Sequence, residues 1–475
     1  MSRILVVCFL LWSPYFLVAQ APKNKWSLEE CITYAQDNNL TIKQAQYNIA
    51  NAQLNVQQSK LNRFPSVSGS VSAGNQYGRT IDPVTNSFET QTIGFNSYTL
   101  SGGITLFNGN VINNTVKQNK LNLEAAQLDA SAAANDIGLS IAVAYLNILL
   151  SEELLTNAER RLELSQEQLN QINKQIEAGV LPEAAKYDVL AQVALDQQSV
   201  VDAGNAVAIN LLTLQQFMLL EPSEEFDIVR PELAFDLNNL NTNFRVNEVY
   251  TQALSNQPQV LAADRRAESA ELGIAVAKGS LYPSLNLFGS LSSNYSSLGR
   301  TILGSEMVTS SQTFRIGGAP VEVEFDNVVP IVGKNPYFDQ IEENFGQSVG
   351  MSLQIPIFSN GRNRINVERA QIGLLNSQAG NLQVRQQLKA NIQRAITDTQ
   401  SSAKSLEAAQ QALEAAEIAL NNAQKRFEIG SINNFEFTTA RNNFDRATAD
   451  FTRARYQYLF NLKTVEFYQG KGLSL

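Results

Sequence analysis

One long stretch, in which apolar residues recur at a fixed spacing, carries the main indication of the fold. Residues 141–178 read IAVAYLNILLSEELLTNAERRLELSQEQLNQINKQIEA. An isoleucine or leucine occupies every seventh position, at Ile141, Ile148, Leu155, Leu162, Leu169 and Ile176. Such a heptad repeat predicts a coiled-coil seam on a helix. From Val111 to Ala178 there is no proline and only Gly138 interrupts, which predicts one helix of roughly 100 Å.

The same heptad returns later in the chain, which indicates an internal duplication. It stands 251 residues downstream, at Ile392, Thr399, Leu406, Leu413, Leu420 and Phe427. Phe64-Pro65 is matched 218 residues later by Tyr282-Pro283, so the second copy carries 33 extra residues before Phe358. A turn and a second heptad follow each long helix, and we therefore predict two helical hairpins, over about 111–219 and 362–468.

These features predict three parts of the chain. Residues 1–21 form a signal peptide, 22–243 a first structural repeat and 244–475 a second one. The signal peptide is indicated by Arg3, the apolar run Ile4–Leu11 and the small residue Ala19. An uncleaved membrane anchor is the alternative, which Pro14 disfavours.

Each repeat contains two short segments with the alternation of β-strands, over about 65–73 and 98–107 and over about 283–293 and 346–357. In the second segment Leu100, Ile104 and Leu106 alternate with polar residues. About ten alternating residues are what a tilted transmembrane strand needs. A half-buried sheet in a soluble sandwich is the alternative. Aromatic residues favour the membrane, with Phe64, Phe107, Tyr282 and Phe358 at the helix ends and Tyr77, Phe95, Tyr295 and Phe345 toward the loops.

The composition argues against several classes of function. A formal net charge of -9 lacks the basic surface of a nucleic-acid binder. The absence of histidine removes the commonest general base and the commonest imidazole metal ligand. We find no motif for catalysis, for a cofactor or for a metal, and predict that the protein is not an enzyme. Cys8 lies inside the apolar run, so Cys31 is the single cysteine of the mature chain, and we expect it to be buried.

Four strands predict an oligomer. A membrane sheet must close, because lipid cannot satisfy an open edge. About eight strands are the practical minimum for a barrel, so one chain is not enough. Two chains would leave a lumen filled by side chains, whereas three would give twelve strands and room for solute. The prediction is a mainly α protein with duplicated long hairpins, an α-barrel, and four strands per chain in a trimeric twelve-stranded barrel.

The order of these features closely resembles the TolC-like outer-membrane efflux proteins over essentially the whole mature chain. The resemblance implies a trimeric passive exit duct in the outer membrane that extends into the periplasm. It also implies a tripartite efflux or type I secretion system, with a periplasmic adaptor and an inner-membrane pump of RND or ABC type. It rests on the hairpin turns and on the strand boundaries at Phe64-Pro65, Tyr282-Pro283, Phe107-Asn108-Gly109 and Phe358-Ser359-Asn360-Gly361.

The resemblance also suggests site residues. The hairpin tips, which would contact the adaptor through exposed apolar side chains, are Gly179, Val180, Leu181, Pro182, Gly430, Ser431 and Ile432. Acidic residues just past the turns would form a periplasmic gate, and the candidates are Glu183, Asp188 and Glu436. Thr439 departs from the family pattern, in which a second carboxylate is expected at this position. Simple turn residues and carboxylates that stabilise a helix start are the alternatives.

Two other functions remain open from the sequence. A periplasmic adaptor would show one hairpin inserted into β-rich domains, and a secreted coiled-coil scaffold would have no pore. A lumen lined by Ser, Thr, Asn and Gln would discriminate little between solutes, so the pump would select the substrate. The insertion within residues 294–344 would be either an ordered cap or a mobile extracellular loop.

Overall fold

A computed structural model describes residues 25–81, 86–90, 92–221, 226–231 and 240–472. The predicted signal peptide and Cys8 lie outside these ranges. The described residues divide into two compact units, which fall within residues 1–51, 123–266 and 378–475 and within residues 52–122 and 267–377. Both repeats contribute to each unit, and the long helices run through both.

The helices occur in matched sets. Two have 11 residues, two have 22 and two have 67, and the returning helices have 34 and 35. The nine helices in the described ranges are α1 Leu28–Asn38, α2 Leu40–Leu61, α3 Val111–Glu177, α4 Ala185–Met218, α5 Val246–Asn256, α6 Pro258–Gly279, α7 Tyr337–Glu343, α8 Arg362–Glu428 and α9 Asn434–Tyr468.

Local signals explain where several helices begin and end. Ser27 starts α1 with a capping box, in which the Ser27 Oγ accepts a hydrogen bond from the Glu30 amide and the Glu30 carboxylate accepts one from the Ser27 amide. Gly179 and Gly430 follow the two 67-residue helices with φ of 74° and 72°, a conformation that glycine adopts without strain. The two hairpins therefore turn at equivalent positions.

The main core of the helical unit is built on the heptad side of α3. Ile141 and Ile148 are fully buried there with Leu214 of α4 and with Cys31, whose predicted burial is confirmed. An 18-residue window of α3 is apolar enough to span a membrane, but these buried contacts assign it to the core instead. A second cluster forms around Leu388 and Ile392 of α8.

The described ranges also contain ten strands. They are β1 Lys25–Trp26, β2 Ser66–Gln76, β3 Arg79–Ile81, β4 Phe88–Thr90, β5 Ile93–Asn108, β6 Asp227–Ile228, β7 Ser284–Ser296, β8 Arg300–Ile316, β9 Ala319–Lys334 and β10 Gly346–Gln354. β1 and β6 pair in parallel beside the helical core. There the Tyr145 hydroxyl donates to the carbonyl oxygens of Trp26 and Val229, and burial raises the pKa of this phenol.

Four strands form one antiparallel sheet in the order β10-β7-β5-β2. Among the residues that the structure describes, β2 and β10 each pair on one side only, so each leaves a free edge. β5 begins five residues before the predicted start, and β10 ends at Gln354, two residues before Pro356, which has no amide donor. A bulge between Thr105 and Phe107 takes Leu106 out of the alternation that the sequence predicted.

The insertion of the second repeat folds into an ordered ribbon. β8 and β9 form a separate two-stranded sheet joined at Gly317 and Gly318, which both have positive φ. The ribbon leaves β7 and returns through α7 to β10. The 294–344 segment therefore has secondary structure of its own, in β8, β9 and α7.

Candidate functional site

The four-stranded sheet has one apolar face. Residues that share this face by register come from all four strands, and most are large and apolar. The large apolar ones include Val67, Val71, Leu100, Ile104, Phe107, Leu285, Leu287, Leu291, Val349, Met351 and Leu353, and the polar residues Asn96, Ser293 and Gln347 also lie on this face. Leu100, Val349 and Met351 are 47%, 81% and 69% exposed. An exposed apolar face of this kind fits contact with lipid.

The opposite face carries small hydroxyl and amide side chains. Ser68 and Ser101 lie 3.2 Å apart, Ser290 and Ser348 lie 2.9 Å apart, and Thr105 donates to Asn286 over 2.8 Å. Others on this face are Ser66, Ser70, Ser72, Ser97, Thr99, Ser292 and Ser352. The face suits water and polar solutes, because it presents hydrogen-bonding groups and no charge.

Two aromatic rings also lie on the polar face, each across a glycine of the neighbouring strand. A Cβ at Gly350 would come within 2.8 Å of Phe288, and one at Gly74 within 3.1 Å of Phe95. Because glycine has no side chain, each ring can lie over the glycine of the neighbouring strand, along the sheet. Phe95 therefore differs from the expectation that it belongs to a lipid-facing aromatic girdle, since its strand position turns it to the polar face.

The helix-end aromatics predicted for the membrane interface are all exposed. Phe64, Phe107, Tyr282 and Phe358 are 67%, 45%, 60% and 83% exposed. They stand where the sheet strands meet the helices. Rings left free at this level match the positions that interfacial aromatics take in membrane barrels. Their contact with lipid stays a prediction.

The hairpin tips are only partly as the sequence suggests. Val180 is 70% exposed and Leu181 is half-buried, whereas Ile432 is buried with 9% exposed. The prediction that Ile432 is exposed was therefore wrong. The exposed apolar residues near the second tip are Ile429 at 80% and Phe435 at 79%.

The gate candidates differ in their local partners. Glu183 accepts a hydrogen bond from the Lys186 ammonium over 2.8 Å, which holds the pKa of its carboxyl below its usual value. Glu436 lies at the third position of α9, where its amide donates to the cap residue Asn433 over 2.9 Å. Asp188 lies exposed in the first turn of α4. Thr439 donates its hydroxyl to the Phe435 carbonyl oxygen.

A buried charge cluster, which no local sequence pattern predicted, links the two hairpins. Asp196 of α4 lies 3.0 Å from Nε of Arg161 on α3 and 3.6 Å from a guanidinium nitrogen of Arg441 on α9. Arg441 also lies 3.9 Å from Asp445. The side chains of Arg441 and Asp196 are 6% and 3% exposed.

The cluster is incompletely satisfied within the described ranges. Oδ2 of Asp196, Oδ2 of Asp445 and Nε of Arg441 are buried without a hydrogen-bond partner. Burial raises the pKa of Asp445, against the attraction of Arg441 and Arg161. The ion pairs therefore connect three helices, but burying the charged groups costs desolvation energy.

We expect Asp445→Asn to raise the thermal midpoint at pH 7. A carboxyl with a raised pKa binds its proton more tightly in the folded state, so stability falls as pH rises from about 4 through the raised pKa. Asparagine does not titrate, so the variant has no such loss of stability. The difference in thermal midpoint between the variant and the wild type should vanish below about pH 4. Thermal unfolding from pH 3 to 8 checks this. Asp202→Asn, at an exposed site on α4, is the control. A constant difference at all pH values would contradict the role of the Asp445 charge.

The sequence profile described as outer membrane efflux protein matches residues 31–218 and 249–471. The chain belongs to this family. Members act as channels, so this protein is an outer-membrane efflux channel that extends into the periplasm. A comparison with curated protein sequences gives no match.

Solved channels of the family show the same fold at low sequence identity. The outer membrane protein VceC of Vibrio cholerae is 16% identical, with a TM-score of 0.73 over 94% of this chain and 97% of that one. The CmeC outer membrane channel of Campylobacter jejuni is 16% identical, with a TM-score of 0.73 over 93% and 85%. The MtrE channel of Neisseria gonorrhoeae is 15% identical, with a TM-score of 0.68 over 94% and 89%.

These matches confirm the predicted fold class, with long duplicated hairpins and a barrel contribution from each chain. The family match favours the channel over the two alternatives, the adaptor and the scaffold without a pore. The family works as trimers with an adaptor and an inner-membrane pump.

Proposed function

We propose that three copies of this chain form a passive exit duct without catalytic activity. The sheet carries this proposal, because it has two free edges, one apolar face and one hydroxyl-rich face. In lipid the free edges must pair, and β2 of one copy with β10 of the next closes the sheet. Three copies give twelve strands, enough for an aqueous lumen.

The mass of the protein purified in detergent tests this assembly. We expect three copies per particle after the mass of bound detergent is subtracted. A folded monomer that stays soluble without detergent would contradict the proposal, since its apolar sheet face would then need no lipid.

The duct would take solutes from an inner-membrane pump of RND or ABC type through a periplasmic adaptor. The polar wall offers hydroxyl groups and no concentrated charge, so it supports passage more than recognition. Selection of the solute then belongs to the pump. The apolar sheet face and the four aromatics Phe64, Phe107, Tyr282 and Phe358 would contact outer-membrane lipid.

We also propose that residues 22–243 and 244–475 are duplicated repeats. The paired helix lengths of 11, 22 and 67 residues support this division. The extra length of the second repeat is accounted for mainly by β8 and β9.

The hairpin tips are proposed to contact the adaptor, through residues 179–182 and 430–432. Val180 is the strongest candidate, because a valine 70% exposed at a turn gains from being covered.

We expect Val180→Asp to reduce co-purification of the adaptor from crosslinked cells about tenfold or more, because the interface loses a buried apolar contact of roughly 1.5 kcal/mol. The trimer should remain intact.

Ile418→Asp is the matched control for Val180→Asp, since Ile418 is 64% exposed on α8 away from the turn. Adaptor recovery should stay at the wild-type level with this variant. An equal loss in both variants, or no loss in either, would remove the tip from the proposed interface.

Glu183, Asp188 and Glu436 are proposed as the acidic ring of a periplasmic gate. Three copies would place the same carboxylates around one axis, and such a ring favours the passage of cations.

We expect Glu436→Gln to lower the cation-to-anion permeability ratio roughly threefold, because three charges leave the ring. Reversal potentials in a salt gradient measure this ratio. Glu407→Gln, at an exposed site on α8, is the control, and unchanged selectivity in Glu436→Gln would exclude Glu436 from the gate.

A further inference from the structure

The ribbon of β8 and β9 lies outside the four-stranded sheet. Its strands of 17 and 16 residues hydrogen-bond to each other as a sheet of their own. A two-stranded sheet alone in water is marginally stable at best. The ribbon therefore needs a further contact if it is to keep its form outside the membrane.

The register gives the ribbon two different faces. One carries a row of apolar side chains, which we call the apolar stripe: Val308, Phe314, Val321, Val323, Phe325, Val329 and Ile331. Glu306, Ser310, Gln312 and Asn327 share that face and interrupt it, mostly on β8. The opposite face of the outer half is polar and acidic, with Thr309, Ser311, Thr313, Glu322, Glu324 and Asp326. The distal half of the ribbon is therefore amphipathic.

The apolar stripe is uncovered in the single chain. Its members range from 36% exposed for Phe325 to 45% for Phe314. On β9 the alternate positions from Val321 to Ile331 are apolar except for Asn327. A contiguous exposed stripe of this kind marks an interaction surface.

The base of the ribbon is held by one buried side chain. Gln340 of α7 has no exposed surface; it accepts from the Ser296 amide over 3.0 Å and donates to the Asn335 carbonyl oxygen over 2.9 Å. A Cβ at Gly299 would come within 2.5 Å of Gln340, so this contact requires glycine. The Asn335 amide donates to the Gly299 carbonyl oxygen over 3.0 Å and closes the base. The base of the ribbon is thus anchored beside the sheet.

We propose that the apolar stripes of three copies pack against one another beyond the rim of the barrel. This inference rests on the proposed trimer. The ribbon joins β7 to β10, and β10 is a free edge that must pair with the next copy. It leaves the sheet at the end away from α6 and α8. Threefold symmetry therefore places three identical stripes around one axis, where each can cover another.

The charges of the ribbon favour another copy over a lipid surface as the occupant. Its outer half carries Glu322, Glu324 and Asp326 against the single cation Arg315. An anionic membrane surface would repel that half. When the stripes pack together, the acidic faces point outward to water, where their charge costs little.

Single cysteines on the two faces test the packing. Val323→Cys and Phe325→Cys lie on the apolar stripe, and Glu324→Cys lies between them on the acidic face. Cys31 is fully buried, so the parent protein is a suitable background. We expect oxidation of intact trimers to join two of three copies in Val323→Cys or Phe325→Cys, at least tenfold more than in Glu324→Cys.

Equal crosslinking at both faces would overturn the proposal, as would none at either stripe position. Free labelling of the Val323→Cys variant by a membrane-impermeant maleimide in whole cells, without crosslinking, would show an uncovered stripe. Protection of that variant from the maleimide without crosslinking would assign the stripe to lipid or to another protein. The trimer mass and ion current of the same samples separate these outcomes from a failure of the duct itself.

Discussion

Replacing Leu291 by arginine is expected to prevent stable insertion of the protein into the outer membrane. Leu291 lies near the middle of β7 on the apolar face, between Leu100 of β5 and Gln347 of β10. An arginine on the lipid face at the bilayer midplane costs about 2–4 kcal/mol. Three copies place three such charges in one barrel, so the cost per trimer is about 6–12 kcal/mol.

Ser292→Arg is the matched control for Leu291→Arg. Ser292 is the next residue on β7 and faces the polar side, where water solvates a guanidinium. Heat-resistant trimers in the outer-membrane fraction measure the result. We expect them to be nearly absent in Leu291→Arg and to be retained in Ser292→Arg. Loss in both variants, or retention in both, would mean that the two faces are not lipid and lumen.

Replacing Arg441 by methionine should produce the largest loss of stability in the helical unit. The change keeps much of the side-chain volume but leaves Asp196 and Asp445 without their shared cation. Breaking a buried ion pair by removal of one partner costs about 3–5 kcal/mol. Denaturant unfolding in detergent, followed by circular dichroism, measures the difference.

The double variant Arg441→Met, Asp445→Asn separates charge from packing. This variant removes one cation and one carboxylate and keeps the Arg161–Asp196 pair, so the site holds no uncompensated charge and most of the lost stability should return. A loss below about 1 kcal/mol for Arg441→Met alone would show that the cluster is solvated in the trimer.

The helices and sheet strands could be predicted because their patterns are local. Heptads on α3 and α8 and the alternation around Leu100 each need only a short window of sequence. Boundaries were less accurate where a local irregularity acts, as at the bulge beside Leu106 and before Pro356. The ribbon was recognised as an insertion, but its pairing depends on contacts between β8 and β9 that a window on either strand does not reveal.

The charge cluster could not be predicted from local sequence patterns, because its members are distant in sequence. Arg161, Asp196 and Arg441 meet only when the two hairpins pack. One signal was present: Asp196 stands three residues after the seam residue Val193, and Arg441 stands three residues before the seam residue Phe444. A charge at such a spacing falls on the inner side of a coiled coil, where it needs a partner.

The exposure of individual side chains at the hairpin tips also could not be predicted from the sequence. Turn residues carry no periodicity, so nothing distinguished the buried Ile432 from the exposed Val180. The face of Phe95 was missed for another reason: the predicted strand began at about residue 98, so the alternation that places Phe95 across from Gly74 on the polar face was not extended to it.

Single-channel recording in a planar bilayer tests the central claim most directly. The claim is that chains of this kind close their four-stranded sheets together around water. We predict stepwise, long-lived ion currents from the purified wild-type protein at voltages of either sign. Absence of any current from protein shown to be folded and inserted would contradict it.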